Sequence, residues 1–323
     1  MRETVDSARG EQNFLLRDRS TSSTEVPEVA RSVDAHFPVK YMPSGFMDGG
    51  EFFVPVYESG EYVGQPKDRY VVRADEHPLF GDEVLGTHSG KYPERAGYVH
   101  VYETLEALFP RKCSNVTMFG NGERVVVEQI LDKPFDLGNG DEIQPFIYTR
   151  MSLNGVWKTE IIPVQKRISC ENMLGSGKGI VSVRATKNHD DILTMKSRVL
   201  EVSMRQAETV RKMARILSDQ EFSDWQFQAL VKTIVPKLPS DAPERAVVNR
   251  NKKIAVMNNA WRDETEKWGT MNKWLAYNAV QGAEQHQINA NYKIGETVNF
   301  EKSLAKSLDG KTPLAKKALE YLS

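Results

Sequence analysis

Apolar positions recur at helical spacing along residues 192–217. Their intervals are mostly three or four residues, which places them close to one helical face. The positions are Ile192, Met195, Val199, Val202, Ala207, Val210, Met213 and Leu217. Two β-leaning runs, residues 157–164 and 179–184, precede this segment. The pattern therefore predicts a long helix that packs on the strands before it.

Short apolar runs separated by turn residues fill the middle of the chain. Residues 115–119 and 124–131 flank Gly120-Asn121-Gly122, a strong β-hairpin signal because Asn and Gly tolerate a positive φ. A further run lies at residues 145–151. The repeated strand-and-turn pattern predicts one curved antiparallel sheet, arranged as a meander.

The chain after residue 217 carries helical patterns only. Ser218 and Glu221 have the spacing of a capping box, which predicts the start of a helix that ends before Pro236. Further helices are predicted at about residues 244–268, 270–287 and 311–322. The fold class is therefore α+β, with an antiparallel curved sheet followed by a long helix and an all-helical C-terminal part.

Domain boundaries are predicted from the changes in composition. Residues 1–35 are rich in Ser, Thr, Glu and Arg, so we expect a mobile N-terminal arm there. Residues 36–217 are expected to form an α+β core that contains the sheet and the long helix. Residues 218–323 are expected to form a helical C-terminal region.

Composition restricts the class of protein. The 323 residues are 40% hydrophobic, enough for a substantial core. No run of about eighteen apolar residues could cross a membrane, and the N-terminal segment lacks the apolar centre of a secretory signal. Cys113 and Cys170 are far apart in sequence, which fits a reducing compartment. We therefore expect a cytoplasmic protein without membrane contact.

Charge is distributed unevenly along the chain. Residues 1–157 carry 16 basic and 25 acidic side chains, whereas residues 158–215 carry twelve basic and six acidic ones. A basic segment built on strands and a helix suits a polyanion, although long helices also carry Lys and Arg on a solvated face. The candidate nucleic-acid contacts are Lys166, Arg167, Lys178, Arg184 and Lys187, with Trp157 as a residue that stacks on a base.

Motifs for cofactor or metal chemistry are incomplete. The loop around Lys178 fails as a phosphate loop because Asn172 stands where the first Gly is needed and Gly179 where a hydroxyl is needed. The six His residues have no metal-ligand spacing with each other or with Cys. No cofactor and no metal are therefore predicted.

Candidate catalytic groups have simpler explanations. The acidic pairs Asp75-Glu76, Asp82-Glu83 and Asp141-Glu142 lie beside Gly or Pro in turns, where solvated carboxylates are favoured over metal ligands. Cys170 is either a nucleophile with a pKa lowered by nearby cations or, the favoured interpretation, a small buried residue. The sequence therefore predicts a protein that is not an enzyme.

An ordered set of short elements resembles a known family, the phage/plasmid-like proteins catalogued as domain of unknown function 932. The turn at residues 166–173 is similar to the family's R-x-x-C-x-N corner, which gives Cys170 and Asn172 as motif residues. The other matching elements are Arg73-Ala74-Asp75, Leu85-Gly86, Tyr92, the helix at residues 100–109, Arg184, Asn188-His189, Gly269-Thr270, Trp274, Tyr277-Asn278-Ala279-Val280 and His286. The insertion Met271-Asn272-Lys273 departs from the family pattern. The resemblance covers residues 36–323 and implies a mobile genetic element and a bacterial host cytoplasm, but no reaction.

Two functions remain open at this level, and a third, a nuclease or other enzyme, has the least support. The first is a nucleic-acid-binding protein of phage or plasmid DNA replication or recombination, with single-stranded DNA binding or annealing as its specific form. The alternative is a non-enzymatic interaction protein that modulates a host factor through its acidic N-terminal half. The near-heptad face of the long helix also suits assembly into a homo-oligomer.

Overall fold

The computed structural model describes residues 25–32, 35, 39–43, 57–58, 61–62, 69–74, 84–89, 97–109, 112–119, 122–138, 140–153, 155–170, 172–174, 181–183, 196–288 and 300–323. Within these residues the α+β prediction is confirmed. An open antiparallel sheet of seven strands is present, and the C-terminal part is helical.

The secondary-structure elements among the described residues are mainly strands up to residue 183 and only helical from residue 196. In chain order they are α1 (Val26–Ser32), β1 (Val39–Pro43), β2 (Tyr57–Glu58), β3 (Glu61–Tyr62), β4 (Arg69–Ala74), β5 (Val84–Ser89), α2 (Tyr98–Leu108), β6 (Cys113–Phe119), β7 (Arg124–Ile130), β8 (Phe135–Asp136), β9 (Glu142–Ser152), β10 (Thr159–Arg167), β11 (Met173–Leu174), β12 (Val181–Val183), α3 (Lys196–Ser218), α4 (Asp224–Ile234), α5 (Glu244–Trp268), α6 (Lys273–Gly282), a π-helical segment (Ala283–Ile288), α7 (Phe300–Leu308) and α8 (Pro313–Leu322). The main sheet has the order β11-β10-β9-β7-β6, with β12 paired to β10 and β8 paired to β9.

The chain divides into two compact units built from interleaved segments. Unit 1 comprises Met1–Leu131, Phe146–Pro163 and Gly179–Ser203, and unit 2 comprises Asp132–Pro145, Val164–Lys178 and Met204–Ser323. The domain boundaries expected at residues 35 and 217 stay predictions.

Unit 1 contains the predicted hairpin. Strands β6 and β7 pair antiparallel with Phe119 opposite Arg124, so four residues connect them, and Gly122 has a φ of 88°. The hairpin is confirmed, with a longer loop than a two-residue turn. Strands β1, β4 and β5 form a separate antiparallel sheet, and β2 and β3 form a two-stranded one.

The core of unit 1 is formed by helices and strands that bury aliphatic side chains. Val26 and Val29 of α1 are fully buried in the same cluster as Leu105 of α2 and Val116 of β6. Helix α1 lies within the segment expected to be a mobile arm, and sequence analysis did not find it. Val199, in the first turn of α3, belongs to this cluster too, together with the strands β10 and β12.

Unit 2 buries a second cluster among its helices. Phe227 of α4 stacks on Trp261 of α5 with 4.7 Å between the ring centroids, and Phe222 meets the same indole edge-on at 6.4 Å. Ala279 of α6 and Ala318 of α8 are almost fully buried in this cluster. These small side chains permit close approach of the helices.

The start of α4 differs from the prediction. Helix α3 continues to Ser218, and the cap of α4 is Ser223, five residues after the predicted one. Gln226 Oε1 accepts hydrogen bonds there from Ser223 N at 2.8 Å and Ser223 Oγ at 2.9 Å. The segment contains two Ser residues with a suitable partner three positions later, and the second one caps the helix.

Two further caps fix the elements that lead to the functional site. Gly269 ends α5 with a φ of 62°, a left-handed conformation that glycine adopts without strain. Asn272 begins α6, because its side-chain oxygen accepts a hydrogen bond from Leu275 N at 2.9 Å. The helix predicted at residues 270–287 is therefore observed as α6 followed by the π-helical segment.

Candidate functional site

Arg167, the last residue of β10, is held by two carboxylates in the interior of unit 2. Its Nε and Nη2 donate to the two oxygens of Asp141 at 2.6 and 2.8 Å, and its Nη1 donates to Glu264 Oε2 at 2.7 Å and Oε1 at 2.9 Å. The Arg167 side chain is 0% exposed, and those of Asp141 and Glu264 are 7% and 12% exposed. Such a cluster persists in the interior only because each charge has partners in good geometry.

Two indole rings complete the surroundings of this guanidinium. Arg167 Cζ lies 5.2 Å from the ring centroid of Trp268 and 5.9 Å from that of Trp274. Trp274 Nε1 also donates to Asp141 Oδ2 at 2.9 Å. Burial lowers the pKa of Arg167, but hydrogen bonding to Asp141 and the negative charges nearby outweigh that effect, so the pKa is raised and the group stays charged.

An amide network lies beside the ionic cluster. Asn172 Nδ2 donates to the main-chain oxygen of Asn278 at 3.1 Å and to its side-chain oxygen at 3.2 Å. Asn172 Oδ1 lies 3.1 Å from His286 Nε2, and Asn278 Nδ2 donates to Trp274 O at 2.9 Å. The main chain closes the corner, since Arg167 N donates to Asn172 O at 3.0 Å. The network thus joins the corner after β10 to α6 and the π-helical segment.

Met173, at the start of β11, is fixed by two glutamines. Gln281 Nε2 and Gln285 Nε2 donate to Met173 O at 2.6 and 2.8 Å, and Gln285 Oε1 accepts from Met173 N at 2.9 Å. The amide of Gln285 therefore pairs with both main-chain groups of Met173, as a neighbouring strand would. These side chains satisfy the main-chain groups of a short buried strand.

A cleft of about 250 Å³ opens next to the amide network. Its polar lining includes Asn172, Asn278, His286, Glu264 and Lys267, and Cys170 also lines it. Lys267 Nζ also donates to Ser169 O at 2.8 Å. Pockets for drug-sized ligands are about 300–1,000 Å³, so this cleft lies just below that range.

Cys170 is not an activated nucleophile. Its Sγ accepts a weak hydrogen bond from Arg167 Nη1 at 3.7 Å. Burial raises the pKa of the Cys170 thiol, and this effect outweighs the opposite influence of Arg167. Cys170 is therefore a neutral thiol at neutral pH, and it is half-buried rather than fully buried, so the favoured expectation of a buried residue holds only in part.

Trp157 lies in unit 1, in the connection between β9 and β10. Its ring meets Phe119 edge-on at 6.1 Å, and the Cζ atoms of Arg124 and Arg150 lie 5.5 and 5.7 Å from its centroid. Ser152 Oγ fixes the turn by accepting from Trp157 N at 2.9 Å. Trp157 as a residue is half-buried, and both guanidinium groups lie over its ring.

The turn around Trp157 contains one ion-paired cation and two exposed side chains. Arg150 is paired with Glu160, whose other oxygen accepts from Ser182 Oγ at 2.9 Å. Lys158 is exposed, and the neighbouring Val156 is 66% exposed. We call residues 155–158 with Arg124 and Arg150 the Trp157 turn.

The structure describes three of the six predicted nucleic-acid contacts, Trp157, Lys166 and Arg167. Lys178, Arg184 and Lys187 lie outside the described residues, and Lys166 is half-buried in β10. Arg167 contradicts the expectation of a solvent-facing phosphate contact, because burial and two carboxylates occupy its guanidinium.

The family motif residues, in contrast, come together. Cys170, Asn172, Trp274 and Asn278 surround the same corner, and His286 joins them through Asn172. Most of their polar atoms are engaged with one another or with the main chain. The motif therefore acts first as the framework of unit 2.

Sequence analysis missed the acidic partners of Arg167. Asp141 was expected to be a solvated turn residue, but it is 5% exposed and binds both Arg167 and Trp274. No local signal marks it, because Arg167 and Trp274 are 26 and 133 positions away in sequence. Glu264 resembles any acidic residue on a charged helix, and only the fold places it inward.

Two features are absent from the described residues, namely a cluster of metal ligands and a membrane-spanning helix. Across the described ranges, no three His, Cys, Asp or Glu side chains are grouped so that they could hold a metal ion. None of the helices in the described part of the chain is both long and apolar enough to cross a bilayer.

Comparison with known proteins identifies one family. The model of the family described as Domain of unknown function (DUF932) matches residues 99–309. The matched range contains the four motif residues Cys170, Asn172, Trp274 and Asn278. The family resemblance is confirmed. No curated protein and no solved structure matches the chain.

Proposed function

We propose that this chain, which belongs to the DUF932 family, is a nucleic-acid-binding protein that acts in the replication or recombination of phage or plasmid DNA in a bacterial cytoplasm. Single-stranded DNA is the proposed ligand, and the protein acts without catalysing a reaction. The net basic character of residues 158–215 supports a polyanionic ligand.

The Trp157 turn is the observation that carries the proposal. Single-strand binders combine aromatic rings, on which bases stack, with cations that follow the phosphates. Here one indole lies within 5.7 Å of two guanidinium carbons, next to the exposed Lys158. Arg150 forms an ion pair with Glu160 in this turn. Further contacts to phosphates are therefore expected from the basic segment, residues 158–215.

The buried motif cluster supports the non-enzymatic part of the proposal. The thiol of Cys170 has a raised pKa, and Arg167 is fully engaged by Asp141 and Glu264. The raised pKa disfavours nucleophilic attack by the half-buried thiol, and the engaged guanidinium is not available to bind a reacting phosphate. The cluster instead gives unit 2 a fixed framework.

Fluorescence anisotropy with a labelled oligothymidylate tests the proposal. Trp157→Ala should weaken binding about 5- to 150-fold, the range that corresponds to ~1–3 kcal/mol for one stacked base. Trp157→Phe should retain most of the affinity because a ring remains. Trp225, which is 72% exposed in unit 2, provides the matched control, and Trp225→Ala should bind like the wild type.

Two outcomes would count against the Trp157 turn. Equal affinity of Trp157→Ala and the wild type would remove the stacking role, and absence of oligothymidylate binding by the wild type at low salt would remove the function itself. In the second case, capture of a stoichiometric host protein after nuclease treatment would favour the interaction protein described above.

A further inference from the structure

The first half of α5 is largely exposed to solvent. Of residues 244–255, nine are exposed and none is buried, and the first buried residue of the helix is Val256. At about 1.5 Å per residue, this half is about 18 Å long. Ala246, Arg250 and Ile254 share one half-buried face, and Ile254 packs against the core of unit 2, so the other faces of this half are open to solvent.

Two sets of contacts hold this half of α5 in place. The second half of the helix packs in the core of unit 2 through Met257 and Trp261, so the first half extends from a fixed helix. Arg250 donates to Pro236 O at 2.9 Å and to Val235 O at 3.3 Å, which fastens the free half to the end of α4. The segment is therefore a preformed helix and would bind a partner without the entropic cost of folding.

One face of this half-helix is basic and polar. Arg245, Asn249, Lys252 and Lys253 follow the intervals i, i+4, i+7 and i+8, so they share a face, and all four are exposed. The single acidic side chain among residues 244–255 is Glu244 at the helix start. Lys253 also lowers the pKa of the buried Glu284 carboxyl, although burial, the larger effect, raises that pKa.

The chemistry of this face selects its partner. Arg, Asn and Lys are residue types that contact phosphates and base edges in the major groove of DNA, which is about 12 Å wide and admits one helix. Residues 244–255 contain no aromatic side chain, so the face lacks the stacking platform that single strands require. A membrane surface would require a wide apolar stripe, and the segment exposes only Val247 and Val248 as larger apolar groups.

We propose that the first half of α5 binds duplex DNA, with the face formed by Arg245, Asn249, Lys252 and Lys253 directed into the major groove. This extends the proposed function to a second surface, in unit 2, that is distinct from the Trp157 turn. A protein with both surfaces holds a single strand and a duplex through different groups.

Anisotropy with a labelled 20-base-pair duplex over a salt series tests this surface. The variant Lys252→Ala/Lys253→Ala should weaken duplex binding at least tenfold and reduce the slope of log K against log salt by about 1–2, since each phosphate contact contributes about 0.9. Lys316→Ala/Lys317→Ala removes two neighbouring exposed lysines from α8 and should bind the duplex like the wild type. Alanine favours a helix, so circular dichroism should show no loss of helix in either variant.

The same variants separate this surface from the Trp157 turn. Lys252→Ala/Lys253→Ala should bind oligothymidylate like the wild type, and Trp157→Ala should bind the duplex like the wild type. Equal duplex affinity of the two double variants would overturn the assignment to α5. Wild-type protein that binds oligothymidylate but no duplex would overturn it as well while leaving the proposed function intact, and binding of neither would remove both.

Discussion

Replacement of Arg167 by methionine tests whether the motif corner is the framework of unit 2. Methionine has a similar length and no charge, so it fills much of the same space between Asp141 and Glu264. The carboxylates of those two residues would then face an apolar side chain at 7% and 12% side-chain exposure. Trp274 Nε1 would remain the hydrogen-bond donor to Asp141.

The expected loss of stability is large. Removal of one partner from a buried ion pair costs about 3–5 kcal/mol, because an uncompensated charge stays in the interior. Arg167 compensates two carboxylates through four hydrogen bonds, which places the loss at the upper end of that range. A typical domain is stable by about 5–15 kcal/mol, so unit 2 would lose a substantial share of its stability.

Urea unfolding followed by tryptophan fluorescence measures this loss. Trp261, Trp268 and Trp274 all lie in unit 2, and two of them contact the guanidinium, so the signal reports on this region. With a slope of about 1–3 kcal/mol per molar urea, the midpoint should fall by more than about 1 M. Both units must be followed, since they can unfold separately.

Lys212→Met is the matched control for the Arg167 substitution. The Lys212 side chain is 72% exposed and pairs with Glu208 at 3.8 Å, so its loss should cost no more than about 1 kcal/mol. Adding Asp141→Asn and Glu264→Gln to Arg167→Met should recover part of the stability, because neutral amides are less costly to bury. If Arg167→Met destabilises unit 2 no more than Lys212→Met does, the ionic cluster is not its framework.

Three further predictions concern the surroundings of this corner. Burial raises the pKa of Cys170 above its ordinary value of 9.0, so in a Cys113→Ala background the rate of alkylation by iodoacetamide should still increase above pH 9; a plateau below pH 9 would contradict it. Burial also raises the pKa of Glu284 from 4.5, although its oxygens accept from Leu314 N at 3.1 Å and Ala315 N at 2.8 Å. The folded state therefore holds this proton more tightly than the unfolded state, so the free energy of unfolding should fall as pH rises from about 4.5 through the raised pKa. Glu284→Gln should reduce this fall when stability is measured by urea titration at several pH values. The same pH dependence in the variant would exclude Glu284 as its source. Gly282→Ala should destabilise unit 2 by about 1–2 kcal/mol in the same assay, because the new Cβ would lie 3.0 Å from Asn172 Oδ1 and disturb its hydrogen bond with His286. This loss exceeds the gain of up to ~1 kcal/mol in helix propensity. A more stable variant would show that Asn172 can shift.

The sequence predicts the elements that local patterns determine. The apolar spacing of residues 192–217 corresponds to α3 (Lys196–Ser218), and the Gly-Asn-Gly signal corresponds to the β6–β7 hairpin. Capping was ambiguous because Ser218 and Ser223 both have a suitable partner three residues later. Local chemistry allows both starts, and tertiary packing selects the second.

The interior charges could not be predicted in this way. Arg167 lies in the most basic part of the chain, which favours a surface position, yet its partners are 26 and 97 residues away in sequence. Whether a charged residue is exposed or buried depends on such long-range pairs, which leave no periodic pattern. The motif residues were found only through the family resemblance, and their convergence on one corner explains why they occur together.

Binding of wild-type protein to a labelled oligothymidylate, measured across a salt series from about 50 to 200 mM, addresses nucleic-acid recognition most directly. We predict saturable binding at the low end and a linear fall of log K with log salt, with a slope of about −0.7 for each phosphate contacted on a single strand. Affinity that is absent at 50 mM, or that does not change with salt, would contradict a function based on phosphate recognition.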